Sequence, residues 1–372
     1  MILVLEPNTR PEGTEYRMLT SQLERLPNVS FRVHREVGSE VTVTEIYLIG
    51  NTAALTIEQM QVLPCVAKVV RVSEPYRVLG RHKQGDDRAS SFDYNGVHFG
   101  QDTLNVFAGL CAVDSRESVE AMMKALRDNG QVCTRMGAYK PRTSPYAFQG
   151  FGASCLPYVY ELAGKYGIRV ISMEVTHESH VDEIREALAA TGNPTGVMLQ
   201  IGTRNTQNFE LLKLVGKQQE FPVLIKRGFG ITLDESLNAA EYLATEGNRK
   251  VVFCLRGMYT NMGDPHRNLV DFAHVPVVKR LTRMPVAIDP SQSVGSRARA
   301  PDGLLDVFHV TAQGVIAGAN MVLVDFHPDP SRALVDGPQA LLVSELPHFL
   351  DDVAIAREAY ERRVRRAREA NA

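Results

Sequence analysis

A short run of the sequence, GAYKPRTSPYAFQG over residues 137–150, concentrates positive charge and hydroxyl groups. Lys140 and Arg142 lie within five residues of two hydroxyl groups, and two prolines stiffen the backbone of the same run. A guanidinium group forms paired hydrogen bonds with phosphate or carboxylate oxygens, and an ammonium group acts on them as a point charge. The run therefore predicts a loop that binds a phosphorylated ligand.

Other charged residues end or follow apolar runs elsewhere in the chain. The basic residues are Arg135, Arg204, Lys226, Arg227 and Arg256, and the acidic or thiol-bearing residues are Cys111, Glu174, Asp289, Asp325 and Asp336. Cations that meet around one pocket repel each other unless anions bind there, so the basic set indicates a substrate with phosphate and carboxylate groups, or two anionic substrates. For any single cation, pairing with a carboxylate of the protein stays open as the alternative. Cys111, Asp325 and Asp336 together are a donor set for a divalent metal ion.

The elements that must bring these residues together alternate between strand and helix from about residue 100 onward. Eight apolar runs have strand character: LNVFAGL (104–110), VCTRMG (132–137), IRVISMEV (168–175), GVMLQIG (196–202), PVLIKRG (222–228), KVVFCLRG (250–257), PVAIDPS (285–291) and MVLVDF (321–326). Amphipathic runs between them predict helices. Eight such units over about 250 residues are typical of an α/β fold, the (β/α)8 TIM barrel, and an open doubly wound sheet is the alternative. Active sites of such barrels lie at the carboxyl ends of the strands, so the charged residues are expected at one mouth.

Two further segments precede this alternation. Residues 1–75 have the element order βαββαβ, which predicts a ferredoxin-like α+β domain. Residues 76–98 are polar and rich in turn residues, which predicts a linker. The barrel is then expected over residues 99–372, with the charged C-terminal run as a solvated outer helix.

The composition limits the classes of function. A net charge of -2 over 372 residues gives no basic field that would attract nucleic acid. No apolar run is long enough to span a membrane, and the N-terminal residues lack the pattern of a signal peptide. The five cysteines are scattered and form no CxxC pair, so we expect reduced thiols and a cytoplasmic protein.

At the residues described above, the sequence resembles a known family. The segments KPRTSPYAFQG, QIGTRNTQNFELLKLVG, PVLIKRG, the DPSxS pattern of DPSQSVG and HPDPSRALVDGPQAL are similar to those of the type I 3-deoxy-D-arabino-heptulosonate 7-phosphate (DAHP) synthases, beta subgroup. The resemblance covers nearly the whole chain, and the ferredoxin-like unit is similar to a regulatory domain that some members carry. It implies the condensation of phosphoenolpyruvate (PEP) with erythrose 4-phosphate, which opens the shikimate pathway of aromatic amino acid biosynthesis.

The resemblance also implies roles for single residues and for partners. By position, the family's PEP-binding cations match Arg135, Lys140, Arg204, Lys226 and Arg256. The segment that holds erythrose 4-phosphate matches Pro141, Arg142, Thr143 and Ser144. Catalytic roles are expected for Lys140, Glu174 and Asp289. The resemblance further implies a divalent metal of the Mn, Fe, Zn or Co type, a homodimer or homotetramer, and an aromatic amino acid as a candidate effector. Neither nucleic acid nor a membrane is expected as a partner.

Two of the four metal-ligand positions depart from the family's pattern of Cys, His, Glu and Asp. Cys111 and Asp336 match the first and the last, but Asp325 stands at the Glu position and Gln292 at the His position. A neutral amide oxygen is a weak ligand for these metals compared with imidazole, and it cannot transfer protons, so Gln292 is a doubtful ligand. His327 has the same strand parity as Asp325 and is a candidate replacement, with a structural hydrogen bond as the alternative.

Three interpretations of the function stay open at this point. In the first, the protein is a working DAHP synthase with a relaxed metal site. In the second, it is a PEP-dependent aldol synthase with a changed aldehyde or metal use. In the third, it keeps the PEP site only for binding or regulation. The complete cation set and the intact KPRTSPYAFQG segment favour the first.

Overall fold

The computed structural model describes residues 1–37, 41–71, 76–81, 89–261 and 265–371. The chain divides into two compact units, Met1–Asp86 and Asp87–Ala372. Each unit has an apolar core of its own. Among the described residues, no helix is both long and apolar enough to cross a membrane.

The first unit has the ferredoxin-like order that the sequence predicts. Its elements are β1 (Ile2–Leu5), α1 (Thr14–Glu24), β2 (Val29–Val37), β3 (Thr42–Gly50), α2 (Ile57–Gln61) and β4 (Val66–Val70). The strands form one antiparallel sheet in the order β2-β3-β1-β4. Leu19 and Leu23 of α1 and Met60 of α2 are buried with the inward side chains of the sheet, which forms the core of the unit.

A hairpin precedes the barrel and begins within 76–98, the segment that the sequence assigns to a linker. Strand β5 (Phe92–Tyr94) pairs with the antiparallel strand β6 (Val97–Phe99). The Asn-Gly turn between them has positive φ angles at both residues, 47° and 75°, the geometry that this dipeptide favours in two-residue hairpins. Side chains of both strands pack against the barrel core. Residues 82–88 lie outside the described part of the chain, so the extent of the linker stays a prediction.

The second unit is a nearly closed barrel of eight parallel strands. They are β7 (Asn105–Gly109), β8 (Cys133–Arg135), β9 (Val170–Val175), β10 (Gly196–Ile201), β11 (Val223–Lys226), β12 (Val251–Leu255), β13 (Val286–Ile288) and β14 (Met321–His327), and a short strand β15 (Leu341–Leu342) extends β14. Neighbours pair in parallel from β8 to β14, β14 pairs with β7, and a bridge between Leu110 and Met136 joins the ends of β7 and β8. The predicted barrel is confirmed, and the open sheet is excluded because both of its edges are paired.

Helices alternate with the barrel strands along the chain. They are α3 (Arg116–Asp128), α4 (Leu156–Tyr166), α5 (Ser179–Ala190), α6 (Phe209–Lys217), α7 (Leu233–Thr245), α8 (Val275–Leu281), α9 (Pro290–Val294), α10 (Asp306–Ile316) and α11 (Leu346–Asn371). Side-chain caps define where several begin: the Ser115 hydroxyl accepts a hydrogen bond from the Ser118 N–H at α3, and the Asp289 carboxylate accepts one from the Gln292 N–H at α9. The last turns of α11 are exposed, as expected for an outer helix.

Candidate active site

The carboxyl ends of the barrel strands enclose a pocket of about 270 Å³. Its lining includes all five predicted PEP-binding cations, the four loop residues Pro141, Arg142, Thr143 and Ser144, and Cys111, Glu174, Gln292 and Asp336. Asp289 and Asp325 lie immediately behind this lining with no exposed surface. The fold therefore brings these residues to one mouth, while the role of each stays a prediction.

Two of the cations are paired with carboxylates at the bottom of the pocket. The Lys226 ammonium lies 2.5 Å from Asp289 Oδ2, and Arg135 Nη1 lies 2.5 Å from Asp325 Oδ1 and 3.7 Å from Asp289 Oδ2. Burial alone would raise the pKa of Asp289, but the charges of Lys226 and Arg135 hold it below its ordinary value. Asp289 therefore stays ionised and fixes both cations where β8 and β11 end.

Lys140 and Glu174 form a third buried pair. The Lys140 ammonium donates a hydrogen bond to Glu174 Oε2 over 3.1 Å. Gly202, at the end of β10, is needed for this placement because a Cβ there would lie 1.9 Å from Glu174 Oε1. Burial lowers the pKa of Lys140, but the Cys111 sulfur and Glu174 raise it above its ordinary value. The ammonium group thus faces the pocket as a charged proton donor.

Arg256 is a buried cation that lacks an anionic partner among the described residues. Its Nε and Nη1 have no hydrogen-bond partner there, and Nη2 reaches only Gln292 Oε1 at 3.5 Å. The Phe229 ring lies 5.9 Å from its guanidinium and also 5.9 Å from that of Arg204, which is exposed at the mouth. Burial lowers the pKa of Arg256. An unpaired guanidinium in such a position indicates an anion-binding site, because leaving the charge unpaired is costly.

Arg227, although it directly follows β11, does not line the pocket. Its Nη1 lies 3.0 Å from Asp271 Oδ2 and 3.0 Å from His274 Nδ1. For this residue, the alternative of internal pairing is the one that the structure supports.

Cys111, Asp325 and Asp336 bring their donor atoms within 4.8 Å of one another, and we call these three residues the acidic ring. Gln292 lies against the ring with its amide nitrogen inward. Nε2 is 2.7 Å from Asp336 Oδ2, 3.4 Å from Asp325 Oδ2 and 4.0 Å from the Cys111 sulfur. Since an amide nitrogen only donates hydrogen bonds, Gln292 acts here as a donor to the ring and not as a metal ligand.

The two carboxylates of the ring have further donors. Gln339 Nε2 donates to Asp325 Oδ2 over 2.6 Å, and Arg267 Nη1 donates to Asp336 Oδ1 over 3.2 Å. The Cys111 thiol donates to Asp336 Oδ2 over 3.1 Å, and burial raises its pKa. Burial also raises the pKa of Asp325. For Asp336 burial raises the pKa, but the Arg267 charge and the hydrogen bonds from Cys111 and Gln292 together lower it below its ordinary value.

His327 does not face the acidic ring. Its Nε2 lies 2.5 Å from Asp114 Oδ2, and its Nδ1 accepts a hydrogen bond from the Asp329 N–H. Both imidazole nitrogens of His327 therefore have hydrogen-bond partners outside the acidic ring. The structure supports the structural hydrogen bond and not the proposed replacement ligand.

The sequence analysis missed two residues of the site, Arg267 and Gln339. Arg267 follows β12 in a long loop, and Gln339 lies three residues after Asp336 on a single 3-10 turn, Gly337–Gln339. Gln339 belongs to the quoted segment HPDPSRALVDGPQAL, and this spacing was the available signal. Arg267 had no comparable signal, because the path of a long loop does not follow from its residue types.

Comparison with known proteins gives family matches over both units. Residues 81–360 match the DAHP synthetase I family, and residues 1–74 match the DAHP synthase ferredoxin-like domain. The chain is 34% identical to a phospho-2-dehydro-3-deoxyheptonate aldolase of Thermotoga maritima over 362 residues, covering 95% of this chain and 99% of that protein. It is 27% identical to a 2-dehydro-3-deoxyphosphooctonate aldolase of Acidithiobacillus ferrooxidans over 259 residues, covering 66% of this chain and 86% of that protein.

Solved structures agree with these matches. The crystal structure of the Thermotoga maritima heptonate aldolase (DAHP synthase) superposes with a TM-score of 0.69 at 34% identity, covering 96% of this chain and 97% of that chain. A truncated form of 3-deoxy-D-arabino-heptulosonate 7-phosphate synthase from Thermotoga maritima superposes with a TM-score of 0.65 at 30% identity, covering 77% and 98% of the two chains. The likeness thus spans both units of the chain.

Proposed function

Because the chain belongs to the DAHP synthetase I family, we propose that it is a transferase that condenses PEP with erythrose 4-phosphate to DAHP and inorganic phosphate. The observation that carries the proposal is the cation-lined pocket, in which the buried Arg256 lacks an anionic partner among the described residues. PEP, with a carboxylate and a phosphate, supplies the missing anions. The binding of PEP then offsets part of the free-energy cost of burying this charge.

PEP binds at the bottom of the pocket in this proposal. Lys226 and Arg135, both held by Asp289, contact one of its anionic groups. Arg256 and the exposed Arg204, which flank the Phe229 ring, contact the other. Asp289 is a positioning residue, because it touches the two cations and has no exposed surface of its own.

The reaction joins two substrates and releases phosphate. C3 of PEP attacks the aldehyde carbon, a C–C bond forms, and the aldehyde oxygen takes a proton from the Lys140 ammonium. Water adds at C2 and loses a proton to Glu174, which lies 3.1 Å from Lys140. The C2–O bond to phosphate then breaks, and inorganic phosphate leaves with the bonding electrons and with the remaining hydroxyl proton, so that C2 becomes a ketone. The proton on Glu174 returns to Lys140, which restores both groups. The surrounding cations stabilise the charge of two phosphorylated substrates and hold them in attack geometry.

The aldose phosphate binds nearer the opening, against the KPRTSPYAFQG loop. Arg142, Thr143 and Ser144 line the pocket and are exposed, so their side chains are accessible to a phosphate. The loop is supported from below, where the Lys140 N–H donates a hydrogen bond to the Gln149 carbonyl over 2.9 Å.

The resemblance implies a divalent metal ion, and the acidic ring supplies three of its donor atoms. When bound, such an ion polarises the aldehyde oxygen as a Lewis acid. The fourth position does not fit this role, because Gln292 presents N–H groups to the ring. Whether an ion of the Mn, Fe, Zn or Co type binds stays a prediction, and the steps above do not pass through one.

The remaining partners are proposals of the same kind. Residues 1–74 match the ferredoxin-like domain of this family, which supports an effector role for an aromatic amino acid. Adding phenylalanine, tyrosine or tryptophan to the assay tests it, and a rate that none of them changes contradicts it. Light scattering distinguishes a homodimer from a homotetramer. The cytoplasmic location stays a prediction.

A changed aldehyde is the second candidate. The octonate aldolase relatives make an eight-carbon product, and because PEP contributes three carbons, their aldehyde has five. The substitutions at Gln292 and Asp325 favour this candidate, because Gln292 lines the pocket and Asp325 lies directly behind its lining.

Turnover with defined aldehydes tests both candidates. We would incubate the purified protein with PEP and either erythrose 4-phosphate or a five-carbon aldose phosphate, follow PEP loss and phosphate release, and identify the product by mass. The proposal expects faster formation of the seven-carbon product. Faster formation of the eight-carbon product supports the second candidate. Tight PEP binding without turnover of any aldehyde overturns both and leaves a binding or regulatory role.

A further inference from the structure

The acidic ring is held together by the protein itself. Each of the four carboxylate oxygens of Asp325 and Asp336 has a donor or cation within 3.2 Å. For Asp325 these are Arg135 on Oδ1 and Gln339 on Oδ2. For Asp336 they are Arg267 on Oδ1 and Gln292 on Oδ2, with the Cys111 thiol as a second donor to Oδ2. A metal ion would have to displace these donors before it could bind.

The residue type at 292 decides whether such a ring is stable without an ion. An imidazole that ligates a metal directs a lone pair at the centre of the ring, where it meets the lone pairs of the other ligands. Only a cation makes that arrangement favourable. The Gln292 amide instead directs two N–H groups at the centre, and its nitrogen lies between 2.7 and 4.0 Å from all three ring members. It supplies the donors that the carboxylates need.

The charges point the same way. Arg135 lies 2.5 Å from Asp325, and Arg267 lies 3.2 Å from Asp336, so each ring carboxylate already has one guanidinium. Lys140 is 3.7 Å from the Cys111 sulfur. A divalent ion in the ring would add two positive charges next to these three cations in a buried site, where like charges repel strongly. The negative charges of the ring carboxylates are therefore already balanced by cations of the protein.

From this arrangement we propose that the Gln292 amide takes the place of a divalent metal ion in the acidic ring. The chain then carries out its condensation without a bound metal ion. The inference rests on the proposed function for its catalytic half. In this proposal, hydrogen bonds from Gln292 and Gln339 fix the positions of the ring carboxylates. The Lys140 ammonium, which lines the same pocket, polarises the aldehyde oxygen. The structural half, that the amide excludes the ion, stands on geometry alone.

The test combines metal content, cobalt spectroscopy and turnover. Wild-type protein is treated with a chelator and dialysed, its residual metal is measured by mass spectrometry, and its rate with PEP and erythrose 4-phosphate is compared before and after. Co²⁺ is then added while the thiolate-to-cobalt charge-transfer absorption is followed, because this band reports an ion bound to Cys111. The variants are Gln292→His and Gln292→Glu, either of which replaces the N–H donors by a ligand. Gln219→His adds an imidazole at an exposed position before β11, at the opposite end of the barrel, and serves as the matched control.

We expect wild-type protein to keep its rate after chelation and to show no cobalt–thiolate band. Gln292→His or Gln292→Glu should gain the band and bind Co²⁺ at least about 100-fold more tightly, whereas Gln219→His should match wild type. Adding Cys111→Ser to the variant should remove the band. Two variants are used so that a folding defect in one leaves the other informative.

The outcomes separate this inference from the proposed function. Loss of turnover on chelation, its recovery with one divalent ion and a cobalt–thiolate band in wild type would overturn the inference and leave the proposed function intact. If no aldehyde reacts with or without metal, the proposed function fails, and the cobalt arm still decides the structural half. In the cobalt experiment, a cobalt–thiolate band in wild-type protein overturns the inference, and a band that appears only in the Gln292 variants supports it.

Discussion

Replacing Arg256 by methionine should stabilise the unliganded protein while it weakens PEP binding. Arg256 is 3% exposed, and two of the three nitrogens of its guanidinium have no hydrogen-bond partner among the described residues. In the absence of PEP, the protein bears the cost of a buried, unpaired charge. Methionine fills most of the same space without that charge, and it keeps contact with the Phe229 ring.

The expected sizes follow from the contacts. A buried donor without a partner costs about 1–3 kcal/mol, and more when it is charged. Loss of the cation–π contact with Phe229 offsets part of the gain. We therefore expect Arg256→Met to raise the free energy of unfolding of the unliganded protein by about 1–2 kcal/mol. Two charge-assisted hydrogen bonds to PEP are worth about 3 kcal/mol or more, so its dissociation constant should rise about a hundredfold or more.

Arg227→Met is the matched control. Arg227 is equally buried and directly follows a barrel strand, β11, as Arg256 follows β12, but it lies 3.0 Å from Asp271. Removing it leaves a buried carboxylate unpaired and should lower the free energy of unfolding by about 3–5 kcal/mol. Urea unfolding of the unliganded proteins, followed by circular dichroism because the chain has no tryptophan, measures stability, and calorimetry measures PEP binding. The reasoning is refuted if Arg256→Met destabilises the unliganded protein as Arg227→Met does, or binds PEP as wild type does.

Three further predictions concern other parts of the barrel. Asp289→Asn removes the partner of Lys226, and scanning calorimetry should detect a loss of about 3–5 kcal/mol of stability, whereas an unchanged midpoint would contradict the pairing argument. Arg142→Ala should raise the KM for the aldose phosphate about 10- to 100-fold, and an equal loss of PEP affinity in calorimetry would show that the loop assignment is wrong. Burial raises the pKa of Tyr94 from 10.0 to about 12, so the folded state keeps this phenol neutral at pH values where the unfolded chain ionises it. The stability that Tyr94 contributes is complete below pH 10 and is lost as the pH rises to about 12, so Tyr94→Phe should flatten the decline of urea-unfolding stability over that range.

Local sequence patterns were sufficient for the elements of the fold. The run GVMLQIG is apolar at nearly every position and IRVISMEV at most of its positions, which is typical of strands buried on both faces, and both form strands where the sequence predicts them. The β5–β6 hairpin had an equally local signal, the Asn-Gly turn between Phe92–Tyr94 and Val97–Phe99. It was overlooked because the polar residues before it resemble a linker.

The pairing of charges within the site did not follow from the sequence. Lys226 and Asp289 are far apart in the chain, and so are Arg135 and Asp325, so no spacing rule connects them. The sequence analysis left internal pairing open for each cation. The structure divides them into paired cations, such as Lys226, and Arg256, which has no anionic partner in the described part of the chain.

The sequence by itself determined the fold class, the cations at the mouth of the barrel and the fact that Gln292 stands where a histidine is expected. The first two depend on residue types and on periodicity along one strand or helix, and the third follows from the resemblance to the DAHP synthase family. Only the tertiary structure decided that the Gln292 amide points its nitrogen at Asp325 and Asp336, and that Gln339 and Arg267 donate further hydrogen bonds to these two carboxylates. The physical reason is that a side chain's role as donor or ligand depends on what lies within about 3 Å of it, and here those neighbours come from different strand ends and loops of the barrel.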